Sequence, residues 1–120
     1  MPFALRALGQ VSAPALMQRA AAALVDEPRD AVRAFYRERR DLVADALEEI
    51  GLDTPPLEGA FYAFPKAPEP DDMSFCRRML DQGLIIVPGS AFAAPGRVRL
   101  SYAVDMDTLQ RGLEILKRSV

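Results

Sequence analysis

The sequence predicts an α+β fold, with about three short strands in a mostly antiparallel sheet covered by four helices, in the order ααβαββα. Two observations lead to this prediction. Apolar residues recur at helical spacing in four segments, and three short apolar runs are bounded by glycine and proline. The strands are too few for a large doubly wound sheet. With 120 residues, 50% of them hydrophobic, the chain is expected to form a single domain over residues 1–120.

Two helices are predicted in the first half of the chain. The first covers residues 12–25, which are rich in alanine, with Ser12 as its N-cap. The second covers residues 28–50, carries apolar residues at helical spacing and stops at Gly51. Its charged run, residues 37–41, is expected to form a solvated face with weak ion pairs.

A strand and a third helix are predicted next. The aromatic run AFYAF at residues 60–64 is typical of a strand, because aromatic side chains pack well on a pleated surface. The third helix is expected to begin with Asp71 or Asp72 as its cap and to stop at Gly83.

Two further strands and a final helix complete the order. The run LIIVPG at residues 84–89 predicts a short buried strand, and SAFAAPG at residues 90–96 predicts an irregular connection. RVRLSYA at residues 97–103 predicts the third strand, and Asp105 is expected to cap the last helix. Since strand side chains alternate, one face should carry Val98, Leu100 and Tyr102, and the other Arg99, Ser101 and Ala103.

The composition excludes several classes of function. The chain has no histidine, which excludes Ser-His and Cys-His catalysis, and a single cysteine, Cys76, which excludes an internal disulfide and a multi-thiolate zinc site. The net charge of −2 is spread without a basic face, so no nucleic acid partner is expected. No apolar run is long enough to cross a membrane and no signal peptide is evident, so no membrane partner and a cytoplasmic location are expected.

Arg99 is the strongest candidate for a functional residue. It lies between Val98 and Leu100 in a predicted strand, where a partly buried guanidinium needs an anionic partner. Its fork of donors matches a carboxylate through two parallel hydrogen bonds. That carboxylate belongs either to the protein itself or to a ligand, and the residues alone favour the internal ion pair.

Five segments resemble one family in its order and at its spacing, and together they cover nearly the whole chain. They resemble the C-terminal small domain of class I/II aminotransferases of the aspartate aminotransferase type, which depend on pyridoxal phosphate (PLP). The segments are QRAAAAL at 18–24, YRERRDLVADAL at 36–47, GAFYAFP at 59–65, LIIVPGSAF at 84–92 and RVRLSYA at 97–103.

The resemblance implies that Arg99 binds the α-carboxylate of an amino acid or keto acid substrate. It also implies that Tyr62 and Phe92 lie near the mouth of the substrate site, although a packing role is favoured for both residues. Arg97, on the same strand face as Arg99, is expected to be exposed. The hydroxyl of Ser90 is expected to bond local backbone in a turn.

The resemblance also implies what this chain lacks. The large domain of the family, with its Schiff-base lysine and phosphate site, is absent from the sequence. The only lysines, Lys66 and Lys117, lack the family context and are expected to be solvated. PLP is therefore expected in the complete family enzyme but not bound to this chain, which should be inactive alone because the cofactor imine needs a lysine.

Three functions are compatible with these observations. The chain is part of an aminotransferase, or it is a stand-alone carboxylate-binding or dimerising domain, or it is the tail of an aminotransferase-like effector domain of a transcription regulator. The first is favoured. In each case the apolar stripes of the first two helices would be exposed without a larger domain, so a homo-oligomer formed through this helical face is expected.

Overall fold

The computed structural model describes residues 13–120, so Ser12, the predicted cap of the first helix, lies outside the described residues. The chain divides into two compact units, residues 1–31 and residues 32–120. Four helices and a three-stranded antiparallel sheet follow in the order ααβαββα. The predicted fold class is confirmed.

Helix α1, Ala15–Ala23, lies in the first unit. It is shorter than predicted, because its last turn tightens where the Leu24 N–H bonds the carbonyl of Ala21 at 3.1 Å. At its other end, Pro14 occupies the cap position and makes no side-chain cap bond. None of its residues is buried.

Helix α2, Asp30–Glu49, is the longest element. Gly51 ends it as predicted, with φ of 73°, a left-handed conformation that a residue without Cβ adopts at little cost. The Leu52 N–H then bonds back to the carbonyl of Leu47 at 3.0 Å, which pairs a carbonyl that the helix end would leave free.

The sheet consists of β1 (Tyr62–Ala63), β2 (Val87–Pro88) and β3 (Val98–Ser101). Strand β3 lies in the middle and pairs antiparallel with both others. The strands are shorter than predicted; β2 stops at Pro88 because Gly89 begins a 3-10 turn. The prediction of a buried strand at residues 84–89 is wrong, since Ile85 is 80% exposed and Val87 and Pro88 are only partly buried. An isolated bridge between Lys66 and Arg97 continues the β1–β3 register.

Helices α3 (Asp72–Asp81) and α4 (Met106–Ser119) complete the fold. Asp71, one of the two predicted caps of α3, accepts hydrogen bonds from the backbone of Met73 and Ser74. Asp105 caps α4 as predicted, and accepts from the Thr108 N–H at 2.9 Å.

The core lies on the face of the sheet that carries Val98, Leu100 and Tyr102, which confirms the predicted alternation. Tyr102 and Phe75 are its largest fully buried side chains. The opposite face carries Arg99, half-buried, and Ser101, exposed. One face of the sheet therefore packs against the core, and the other is accessible to a ligand.

Among residues 13–120, no helix has both the length and the apolar composition needed to cross a membrane.

Candidate functional site

Arg99 lies near the middle of β3, on the face of the sheet that points away from the core. Its Cζ atom is 4.4 Å from the ring centroid of Phe92 and 5.4 Å from that of Tyr62. Both distances are within the range of a cation–π interaction. The structure therefore brings together the three residues that the sequence singled out, although they come from three separate segments.

The Arg99 guanidinium has no protein acceptor within the described part of the chain. No carboxylate of residues 13–120 forms an ion pair with it, and no oxygen of these residues accepts its hydrogen bonds. The internal ion pair that the residues alone favoured is therefore not found there. A half-buried guanidinium held between two rings, with its donors unused, is arranged to receive an anion.

Phe92 ends a short 3-10 helix, Gly89–Phe92, where the sequence predicted an irregular connection. This turn packs tightly on the chain around it. A Cβ at position 89 would lie 2.2 Å from the carbonyl oxygen of Ala94 and 2.6 Å from that of Arg97, so only glycine fits there. The turn places the Phe92 ring beside Arg99.

Tyr62 is positioned by the core residue Tyr102. The Tyr102 hydroxyl donates to the carbonyl of Ala60 at 3.1 Å, and its N–H donates to the carbonyl of Phe61 at 2.9 Å. Burial raises the pKa of Tyr102, so its hydroxyl stays protonated and keeps donating near neutral pH. These two bonds hold the chain on the N-terminal side of Tyr62.

Two sequence expectations about this segment are wrong. Arg97 is half-buried rather than exposed, because its Nη1 donates to the carbonyl of Phe64 at 3.1 Å and its Nη2 lies 3.7 Å from the carboxylate of Asp53. For Ser90, the interaction that the structure shows is made by the backbone rather than the hydroxyl. Its N–H donates to Oδ2 of Asp72 at 2.7 Å.

Arg39 is the residue that sequence reasoning missed. It was placed in a solvated charged run, but it is 7% exposed. Its Nε donates to the carbonyl of Val104 at 2.8 Å, its Nη1 donates to that of Phe35 at 2.9 Å, and its Cζ lies 3.3 Å from the Phe35 ring centroid. The signal was its spacing, since Arg39 shares the helical stripe of Val43, Ala46 and Leu47.

Lys66 and Lys117 are the lysines of the described residues. The cofactor needs a lysine amine, and the amine of Lys117 is paired with the carboxylate of Glu49, while Lys66 is exposed in the connection after β1. A cavity of about 560 Å³ beside α4 is lined mainly by apolar side chains and by no lysine.

Cys76 is a buried thiol with no sign of reactivity. Burial raises its pKa, and the charge of Asp72 raises it further, so the thiol stays protonated near neutral pH. Among residues 13–120, no group of side chains could hold a metal ion.

The fold is thus an α+β domain that presents the Arg99 guanidinium, beside two aromatic rings, on the sheet face opposite the core. Residues 4–116 match the family model described as "Aminotransferase class I and II". The chain belongs to this family, as its resemblance indicated.

Three relatives illustrate the match. The chain is 40% identical over 103 residues to an aspartate/prephenate aminotransferase of Thermus thermophilus, covering 84% of this chain and 26% of that one. It is 43% identical over 91 residues to a probable N-acetyl-LL-diaminopimelate aminotransferase of Bacillus subtilis, and the match covers 72% of this chain and 23% of that one. A crystal structure of the Thermotoga maritima aspartate aminotransferase superposes with a TM-score of 0.81 at 31% identity, covering 95% of this chain and 30% of that one. The chain thus spans about a quarter of the length of the curated relatives it matches.

Proposed function

We propose that this chain is the carboxylate-binding small domain of a class I/II aminotransferase, and that Arg99 holds the α-carboxylate of the substrate. One observation carries the proposal: the Arg99 guanidinium lies 4.4 Å from the Phe92 ring centroid and has no acceptor among residues 13–120. The substrates in the names of the relatives, aspartate, prephenate and N-acetyl-LL-diaminopimelate, are all carboxylic acids.

The surroundings of Arg99 suit this role physically. Two parallel hydrogen bonds from a guanidinium fix both the position and the plane of a carboxylate. The Tyr62 and Phe92 rings restrict the side chain before any ligand arrives, which reduces the entropy lost on binding. In an aminotransferase such a clamp aligns the substrate Cα with the cofactor.

The site is tested by NMR titration of the Arg99 Nε–Hε resonance with pyruvate, a small keto acid. Pyruvate should shift this resonance with a Kd on the order of millimolar, as expected for one charged contact at a half-open site. Pyruvamide, which lacks the carboxylate, should not shift it. Arg99→Ala has no such resonance and is followed through the backbone amide resonances of β3, where pyruvate should cause no shift. Arg118→Ala, which removes the same charge from exposed Arg118 of α4, should still bind pyruvate. Equal binding of pyruvate and pyruvamide would refute the proposal.

We further propose that the chain does not bind PLP as an imine and does not transaminate alone. PLP supplies the electron sink for transamination in this family, but it is held there by a lysine, and neither lysine of this chain is set in such a site. A purified sample mixed with PLP should show no aldimine absorbance and no transamination of aspartate. Transamination that persists in the Lys66→Arg, Lys117→Arg double variant would show that the reaction does not need a lysine of this chain. Transamination that the double variant loses would show that one of these lysines forms the imine and that the chain is active alone.

A specific observation favours a second role, self-association through the helical face. Helix α1 buries none of its residues, and Leu16 and Met17 are 71% and 55% exposed. Exposed apolar side chains on one short helix are stabilised by association. Sedimentation should show a concentration-dependent oligomer that Leu16→Glu dissociates, while Arg19→Glu, a charge change on the same helix, should have a smaller effect. A monomer at all concentrations would exclude this role.

A further inference from the structure

We propose that Asp72 is a positioning residue for the Arg99 site: its buried carboxylate holds the Gly89–Phe92 turn, and through it the Phe92 ring against Arg99. The importance of this contact for binding rests on the function proposed above. The hydrogen bond between Asp72 and the turn is observed directly and does not depend on that function.

Asp72 is an unusual residue for its position. It is 4% exposed, whereas its neighbour Asp71 is exposed and already caps α3. Burying a carboxylate costs free energy unless hydrogen bonds compensate it. Oδ2 of Asp72 accepts the Ser90 N–H at 2.7 Å, a short, charge-assisted bond between residues 18 positions apart. The helix cap does not need Asp72, so its burial is explained by the turn.

The other backbone hydrogen bonds of the turn are local or run to Arg97, and none of them reaches α3. The Gly89 N–H donates to the carbonyl of Arg97 at 2.7 Å, and the Ala94 N–H donates to the carbonyl of Gly89 at 3.0 Å. These two bonds close its base, while the Ser90 N–H bond is the one that ties the turn to α3. The turn ends at Ala93, which has φ of 57°, a conformation that alanine adopts only when its surroundings impose it.

Phe92 depends on this turn for its position. Its side chain is 46% exposed, so core packing does not hold it. It contacts the Phe64 ring edge-on, with 6.3 Å between centroids, and the Arg99 Cζ atom lies 4.4 Å from its centroid. If the turn loosens, the Phe92 ring moves and Arg99 samples more rotamers. Binding a carboxylate then costs more conformational entropy.

The experiment compares Asp72→Ala with Asp72→Asn and with the matched control Asp71→Ala. Asparagine retains an oxygen that can accept the Ser90 N–H, and alanine does not. Asp71→Ala removes the cap of the same helix without touching the turn. A fourth variant, Ser90→Pro, removes the donor from the other side and leaves α3 unchanged, in case Asp72→Ala does not fold.

Two readouts are measured on every variant: the Arg99 Nε–Hε chemical shift, which the Phe92 ring current displaces, and pyruvate affinity. Hydrogen exchange of the Ser90 amide is measured on every variant except Ser90→Pro, which has no amide hydrogen at that position. Asp72→Ala and Ser90→Pro should move the Arg99 resonance toward its unfolded value and weaken pyruvate binding about fivefold, the scale of one less-ordered side chain. Asp72→Ala should also speed Ser90 exchange. Asp72→Asn should restore wild-type behaviour, and Asp71→Ala should change neither the shift nor the affinity.

The outcomes separate this inference from the function on which it rests. If wild-type protein does not bind pyruvate, the proposed function fails, and the exchange rate and the chemical shift still test the contact. If Ser90 exchange accelerates in Asp72→Ala while the Arg99 resonance stays in place, the positioning role is overturned. It is also overturned if Asp71→Ala moves the resonance as far as Asp72→Ala.

Discussion

At the scale of single residues, two arginines show how local context decides the role of one side chain. Arg39 and Arg99 are both flanked by aromatic rings. The donors of Arg39 are used by the carbonyls of Val104 and Phe35, whereas those of Arg99 have no acceptor among the described residues. The first is therefore a structural residue that ties α2 to the connection between β3 and α4, and the second has donors available to a ligand.

Arg39→Ala should destabilise the protein by about 2–4 kcal/mol, because it removes two hydrogen bonds from a charged group and leaves the Val104 carbonyl without this donor. Urea unfolding followed by circular dichroism measures this. Arg37→Ala, an exposed neighbour in the same charged run, should change the free energy of unfolding by less than about 0.5 kcal/mol. If the two substitutions change the free energy of unfolding equally, the Arg39 contacts do not stabilise the fold.

At the scale of elements, the aromatic rings beside Arg99 are positioned by short turns rather than by the strands. The 3-10 turn Gly89–Phe92 places one ring beside Arg99, and the bonds from Tyr102 hold the segment before Tyr62. Ala60 and Ala93, which adjoin these two segments, both have positive φ, 64° and 57°. Left-handed alanines persist only where surrounding contacts outweigh their conformational cost, so both segments are tightly restrained.

Gly89→Ala should destabilise the protein by about 1–3 kcal/mol, because the new Cβ meets two backbone carbonyls that cannot move independently. The matched control is Gly59→Ala, where nothing lies within 4 Å of an added Cβ. Thermal unfolding of both variants measures the difference. A Gly89→Ala variant as stable as Gly59→Ala would show that the turn yields to the added methyl group.

The cap of α4 should make stability depend on pH. Hydrogen bonds from Thr108 lower the pKa of Asp105 in the folded state. This stabilisation is present above the unfolded pKa of about 3.9 and is lost as the pH falls through the lower folded pKa. Asparagine caps a helix without titrating, so Asp105→Asn should become relatively more stable than wild type as acid is added. Urea midpoints measured from neutral to acidic pH test this, and a constant difference would contradict it.

At the scale of the whole molecule, the core belongs to the second unit. Its buried apolar residues run from Val43 to Leu116, and α1 contributes none of them. Helix α4 supplies Leu109, Leu113 and Leu116 from one face. The described residues therefore share one contiguous hydrophobic core, although the chain spans about a quarter of its relatives' length.

Removal of residues 1–27 should leave a protein that unfolds cooperatively, with a free energy of unfolding within about 1 kcal/mol of the full chain, because residues 13–27 contribute no buried side chain to the core. Removal of residues 105–120 should abolish cooperative unfolding, because it removes three buried leucines. Denaturant titration at low protein concentration compares the two. A truncated chain without residues 1–27 that fails to fold would show that the first unit is needed.

The sequence by itself determined the fold class, the order of the elements, the stops at Gly51 and Gly83, the cap at Asp105 and the family. These features depend on short-range periodicity and on backbone conformations that glycine and aspartate favour locally. It also named Arg99, Tyr62 and Phe92, largely through the resemblance of their segments.

Only the tertiary structure decided which charged residues are buried and which segments meet. Arg39 reads as part of a polar run, but the approach of the Val104 and Phe35 carbonyls makes its burial favourable. The sequence predicts Asp72 as an alternative cap of α3, but its carboxylate accepts a hydrogen bond from the Ser90 N–H, 18 residues later. Contacts between residues far apart in the chain leave no periodic signal in the sequence, so the partner of each buried charge is known only once the chain is folded.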